Sequence, residues 1–182
     1  MTISRNEAEL ALAEIERTAT RSETLRGYQF AGPILMLWGL IWVIGYGAMG
    51  LLPVQRWGVV WILLDLLGAV LTIAMSRRQN GGGAGGWRSV AGSLAVVAFC
   101  GAVFAVFRPT SLDAYLAFPG LVAGTVYVVL GLWRMTRFVW IGAAMFAATL
   151  VGFFFLSTGL AFWMAATGGG GLVLGGLWLR KA

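Results

Sequence analysis

The sequence predicts an all-α protein that lives in a membrane. Its expected form is a bundle of six spanning helices with both termini cytoplasmic, preceded by a cytoplasmic amphipathic helix. Three observations predict it. Hydrophobic residues make up 59% of the 182-residue chain and the mean hydropathy is +0.85, too few polar residues to cover a soluble core of this size. Six stretches, 30–50, 57–76, 88–107, 114–133, 138–156 and 159–179, approach the ~20 mostly apolar residues that a spanning helix needs. The basic residues divide unevenly among the breaks, eleven on one side of the threading against two, Arg56 and Arg108, on the other. That bias places both ends of the chain in the cytoplasm, with the chain crossing the membrane several times.

Residues 1–29 form the cytoplasmic segment. They hold no apolar run of the kind a cleavable leader requires. Ser4 and Glu7 have capping-box spacing, and Ala8, Leu12, Ile15 and Ala19 then share one helical face. Five acids against four arginines surround that face, so it lacks the excess of positive charge that anionic lipid favours. A cytoplasmic protein partner or self-association through residues 7–25 is the expectation. Residues 30–182 form the transmembrane domain. Within it, residues 77–88 hold the tract QNGGGAGGW and read as a flexible cytoplasmic loop.

Close backbone approach must hold helices together in lipid, which explains 27 glycines. Gly120, Gly124 and Gly131 share a face of the fourth span, Ala144, Ala148 and Gly152 a face of the fifth, and Gly171 and Gly175 make a GxxxG on the sixth. The run TGGGGLVLGG from Thr167 looks like a phosphate loop but lacks the Lys-Ser/Thr and sits inside an apolar span, so it reads as a packing face. Trp57 and Trp163 read as outer-interface rings, and Trp87, Trp133, Trp140 and Trp178 as inner ones, while Trp38 and Trp42 lie deeper.

Asp65 stands out, because it is the one acidic residue inside an apolar stretch. A rise of 1.5 Å per residue puts it about 12 Å from Trp57, near the middle of a hydrocarbon core about 30 Å thick. An ionised carboxyl there costs roughly 2.5–3.5 kcal/mol on the insertion scale, so a partner must offset it or the group stays protonated. At 100° per residue it shares a stripe with Gly58, Trp61, Gly68, Ala69, Thr72 and Ser76, opposite a leucine-rich side. Ser89, Ser93, Cys100 and Phe104 on the third span, and Trp38, Trp42, Gly45 and Met49 on the first, are the candidate neighbours. Asp65, Trp61, Thr72, Trp38 and Trp42 are therefore the candidate proton or ligand site. A plain structural role, a protonated carboxyl hydrogen-bonded to a neighbouring helix, fits the same pattern. Beyond the spans, Ser111 reads as an N-cap followed by a first-turn Asp113, Pro119 as a bend, and Arg134 and Arg137 as anchors to lipid phosphate.

Several classes are excluded. With no histidine and one cysteine, Cys100, the chain cannot form an internal disulfide, a Cys/His metal site or a histidine-ligated haem. A second membrane Asp for a two-aspartate protease, a Ser/His pair and an acidic metal cluster are all missing. No enzyme, no cofactor and no metal are expected, and the basic charge belongs to cytoplasmic loops rather than to nucleic-acid binding. What remains is a non-catalytic regulatory, sensory or accessory membrane protein, or a small-solute or proton/ion-coupled transporter or its substrate-binding subunit using Asp65. In size and helix count the chain is similar to the substrate-binding components of energy-coupling vitamin importers, without their binding motif. The stretches LMLWGLIWVIGYG from Leu35 and AFWMAATGGGGLVLGGLWLRKA from Ala161 resemble a family of small six-helix bacterial inner-membrane proteins. The resemblance implies the architecture and the bacterial inner membrane as its location, and supplies no sites.

Overall fold

A computed structural model of the chain describes residues 5–80, 86–133 and 135–181, with the side chains of 5, 7, 8, 79, 80, 86–90 and 93 outside that description. The described residues form helices joined by short turns, bends and irregular connections. Helix α1 spans Arg5–Leu51, α2 Trp57–Asn80, α3 Gly86–Phe107, α4 Leu112–Trp133 and α5 Arg137–Phe155. The last span, Ser157–Arg180, contains a short 3-10 turn, α6 at Leu160–Met164, a π-helical turn at Ala165–Gly169 and α7 at Gly170–Arg180. Five of these helical stretches are long and apolar enough to cross a membrane, and α3 contributes a shorter apolar one, Leu94–Phe107.

Two boundaries differ from the sequence reading. The segment expected ahead of the first span and that span itself are one helix of 47 residues, which continues through Pro33. A proline removes one backbone bond, and the turns on either side hold the helix together across it. Helix α2 likewise carries on through Arg77 and Arg78 to Asn80, and α3 starts at Gly86, so helix takes in most of the loop expected at 77–88. Ser, Arg and Gln are ordinary helix residues, and the helix need not stop where the apolar run stops. The glycines at 81–83, Ser4, and the side chains of Glu7, Ser89 and Ser93 lie outside the described residues.

The core follows α1. Near its middle Tyr28 and Leu35 pack with Phe138, Ile141, Met145, Leu172 and Leu179. Toward its end Tyr46 and Met49 pack with Leu116, Leu160, Ala161, Met164 and Ala165. Trp42 lies against both groups. Two antiparallel contacts set this arrangement. Against α1, a Cβ on Gly39 would stand 2.7 Å from the Gly169 carbonyl oxygen, and one on Gly176 would stand 2.6 Å from that of Gly32. Against α4, a Cβ on Gly142 would stand 2.5 Å from the Gly124 carbonyl oxygen, and Gly131 faces the backbone of Val139 with the same closeness. Backbone lies directly on backbone at these crossings, which only a missing side chain permits.

Helices α2 and α3 are peripheral. Helix α2 holds α1 through Gly68, which accommodates Ile41 and Trp38, and through Trp61, which fills the space over Gly45. Helix α3 meets α4 through rings: Phe104 lies 4.7 Å from Tyr115 and 5.4 Å from Phe118. It ends on Arg108, a non-glycine residue at φ 43 whose amide donates to the Phe104 carbonyl. Ser111 then caps α4, its Oγ accepting from the Ala114 amide at 3.3 Å.

The crossing of α1 with the last span makes a contrast testable. Gly39→Ala forces a Cβ onto backbone atoms and is expected to destabilise the bundle by about 1–3 kcal/mol, the usual cost of overpacking. Gly47→Ala on the same helix meets nothing within 4 Å and should be neutral or stabilising by up to about 1 kcal/mol. Thermal unfolding of both variants in detergent, followed by circular dichroism, separates them.

Candidate functional site

The face of α2 that carries Asp65 turns toward α1. Trp61, Asp65 and Thr72 are half-buried and Gly68 is buried, whereas Gly58 and Ala69, placed on the same stripe by spacing, are exposed. The stripe is narrower than the helical wheel suggests, and α1 packs on it at Gly68 and Trp61. Leucines and valines on the other side, including Leu63, Leu67 and Val70, are exposed.

The structure brings Trp38 and Thr72 together and, separately, gathers Trp42 and Trp61 around one tyrosine. Trp38 Nε1 donates to Thr72 Oγ1 at 3.2 Å. Trp61 Nε1 reaches Met49 Sδ at 3.0 Å. Between them stands Tyr46, which sequence reasoning did not single out. Its ring makes edge contacts with Trp42 at 5.4 Å and Trp61 at 5.3 Å, and its hydroxyl donates to the Leu116 carbonyl at 2.9 Å. Tyr46 is only 1% exposed, so that bond is the one thing that makes a phenol tolerable there. The available signal was the spacing Trp38, Trp42, Tyr46, one ring per helical turn on the same face of α1. Leu116 lies just before Pro119, which sits inside α4 without a backbone N–H of its own.

Asp65 shares the stripe with these residues but not their bonds. Among the described residues no hydrogen bond or ion pair reaches its carboxylate. Trp38 and Trp61, the nearest indoles on the stripe, donate elsewhere. Trp42 is engaged from the other side: a Cβ on Gly168 would stand 3.1 Å from its ring, so the π-helical turn leaves room for the indole. Thr167 Oγ1 donates to the Trp163 carbonyl at 2.8 Å within that turn. Trp163 itself points into the bundle, donating from Nε1 to the Ala148 carbonyl at 2.8 Å.

The packing candidates divide into two sets. Gly120, Gly124, Gly131 and Gly152 are buried against neighbouring helices, Gly120 beside Thr149 and Met164, and Gly152 beside Trp163. Ala144 is exposed, Ala148 is half-buried, and a Cβ on Gly171 would meet nothing within 4 Å. Those three, with Gly175, line an open groove between α5 and the last span. Helix α1 takes the opposite glycines, Gly169 and Gly176.

A third feature went unread in the sequence. The Arg137 guanidinium lies 5.0 Å from the Trp178 ring centre and 5.5 Å from that of Tyr28, and its Nη1 donates to the Trp178 carbonyl at 2.8 Å. The Arg137 amide donates to the Tyr28 hydroxyl at 3.2 Å. One arginine thus ties together α1, α5 and the end of α7. Arg134, its sequence neighbour in the turn, is outside the described residues.

Among the described residues no group of three or more His, Cys, Asp or Glu side chains is placed to hold a metal ion. No protein-family model matches the chain, and no curated protein or solved structure matches it.

Two substitutions distinguish the bonded from the unbonded polar groups. Tyr46→Phe removes a buried hydrogen bond and is expected to cost about 1 kcal/mol. Asp65→Asn removes no described bond and should shift stability by less than about 0.5 kcal/mol. Equilibrium unfolding in detergent measures both. A loss above about 1.5 kcal/mol at Asp65 identifies the carboxyl as a structural hydrogen-bonding group instead.

Proposed function

We propose that this is a non-catalytic membrane protein, regulatory, sensory or accessory, that presents a rigid cytoplasmic helix to a protein partner. The observation that supports it is the length and exposure of α1. Its 47 residues extend about 70 Å, more than twice the ~30 Å of a hydrocarbon core. Packing against the bundle begins near Gly27 and Tyr28. Ahead of that, Leu12 and Ile15 are 61% and 68% exposed, on the face that also carries Ala19. Among the described residues nothing covers this apolar stripe, and a second helix is its natural cover.

The threading belongs to the same proposal. The N-terminal half of α1, the end of α2, the start of α5 and the end of α7 gather at one end of the bundle. Arg26, Arg77, Arg78, Arg137, Arg180 and Lys181 lie there, and the basic bias assigns that end to the cytoplasm. With that assignment the proposed threading has six spans and both termini inside, in the bacterial inner membrane.

The test is a photo-crosslinking residue at Ile15 in cells that express the protein. The expected result is one recurrent protein adduct, either a second copy or a distinct partner, reduced at least about fivefold by Leu12→Glu, the effect of roughly 1 kcal/mol. Crosslinks to lipid alone, or an adduct indifferent to Leu12→Glu, sink the proposal.

A second reading rests on Asp65, whose half-buried carboxylate has no described partner although it stands at mid-span. It makes the protein a proton- or ion-coupled transporter, or a transporter's binding subunit, with Trp61, Thr72 and Trp38 beside the acid. Infrared titration of the carboxyl stretch in nanodiscs, wild type against Asp65→Asn, tests it. A band that belongs to Asp65 and disappears reversibly as pH rises shows a water-accessible group that changes charge. A band that persists into strong alkali ends this reading.

A further inference from the structure

We propose that the groove between α5 and the last span holds one acyl chain of an anionic phospholipid, with the headgroup on the cations at its mouth. The inference rests on the chain's spanning a membrane and not on the partner reading above. The groove has a volume of about 530 Å³. Its lining includes Ala144, Ala148, Gly171 and Gly175, with Trp140 and Trp178 at one end.

Its dimensions choose the occupant. From Thr167 to Trp178 the last span rises about 16 Å. That is half of a ~30 Å hydrocarbon core, the depth of one leaflet. A spanning helix of a second copy would lie along the full thickness. A single polymethylene chain lies within that length without crossing the midplane. The floor is glycine and alanine, so the slot exists because side chains are missing there, and Gly171 has open space over it.

Charge selects the headgroup. Arg137 is one turn from Trp140 and Ile141 along α5, and its guanidinium stacks on Trp178 at the groove's mouth. That stacking and the bond to the Trp178 carbonyl hold the cation in place without neutralising it. Lys181 follows at the same end and is exposed, while the Arg180 stem lies over Gly32 on the α1 side. No acidic residue occurs after Asp113. A fixed guanidinium with a lysine beyond it, set where an interfacial phosphate lies, fits the way basic pockets between spans take anionic lipid.

The test uses the intact chain in mild detergent and native mass spectrometry with added phosphatidylglycerol or phosphatidylcholine of equal chain length. The expected result is retention of one phosphatidylglycerol, preferred over phosphatidylcholine by more than about tenfold, as a pair of nearby cations implies. Gly171→Leu, which fills open space and leaves the glycines facing α1 intact, should abolish that retention. Arg137→Gln should leave binding but cut the preference about fivefold, the share of one cation. Equal retention of the two lipids in the wild type overturns the proposal, as does retention unchanged by Gly171→Leu, which would mean annular lipid only. A dimer that Gly171→Leu dissociates would also overturn it, by showing that a second copy fills the groove.

Discussion

Lipid gives helices no hydrophobic reason to associate, so the crossing of α1 with the last span is the constraint on which the bundle depends. Gly32 and Gly39 on one side meet Gly176 and Gly169 on the other, seven residues apart on each helix. Seven residues are two turns, so each pair lies on the same face and the contact repeats in register. With no side chains between them, the carbonyls of Gly32 and Gly39 approach the facing helix directly. That closeness brings the Arg180 stem over Gly32 and directs Leu35 and Leu172 into one core and Tyr46 and Met164 into the other. The second glycine contact, α4 on α5, builds a hairpin that then packs on this pair. Helices α2 and α3 lean on the finished structure through large rings, which fit less closely than backbone on backbone.

This hierarchy explains where the polar groups are and how they are satisfied. In the tightly crossed part, Tyr46, Thr149 and Trp163 each give their hydrogen to a helix carbonyl. Dispersion and those bonds hold the region together, with every buried donor accounted for among the described residues. In the peripheral part, Trp38 reaches Thr72 across α1 and α2, and Asp65 has no hydrogen-bond partner among the described residues.

The helices were legible in the sequence because apolar runs of spanning length have few alternatives. Gly120, Gly124 and Gly131 were legible as a face because each is isolated among larger residues, so spacing of 4 and 7 defines one direction. The last span defeated that logic. Gly168 to Gly171 and Gly175 to Gly176 are consecutive, and a run of glycines has no periodicity to read. Spacing favoured Gly171 and Gly175, which face the open groove and Ile141. The helix uses Gly169 and Gly176 for the tight crossing and Gly168 for Trp42. Tyr46 escaped for a different reason: in a chain rich in aromatic rings nothing local shows which hydroxyl finds a carbonyl seventy residues away. Arg137 shows the limit of charge counting. Its position marks an interface, but its stacking between Tyr28 and Trp178 depends on which helices become neighbours.

The continuity of α1 joins the two halves of the molecule mechanically. The exposed segment before Tyr28 and the crossing at Gly32 and Gly39 belong to one helix without a hinge loop. A load on the exposed part therefore reaches a contact where no side chain can repack. Sliding by a single turn would press Leu35 or Met36 against backbone where glycine stood, and overpacking of that kind is costly. Sliding by two turns would keep one glycine pair and lose the other. The crossing has no nearby alternative register, so α1 and the last span move together or not at all. Helix α2 is attached to the same rod through Trp38, Gly45 and Gly68, by rings that can turn. The joint between α1 and α2 is thus made by side chains rather than by backbone on backbone, and the stripe that carries Asp65 lies on it.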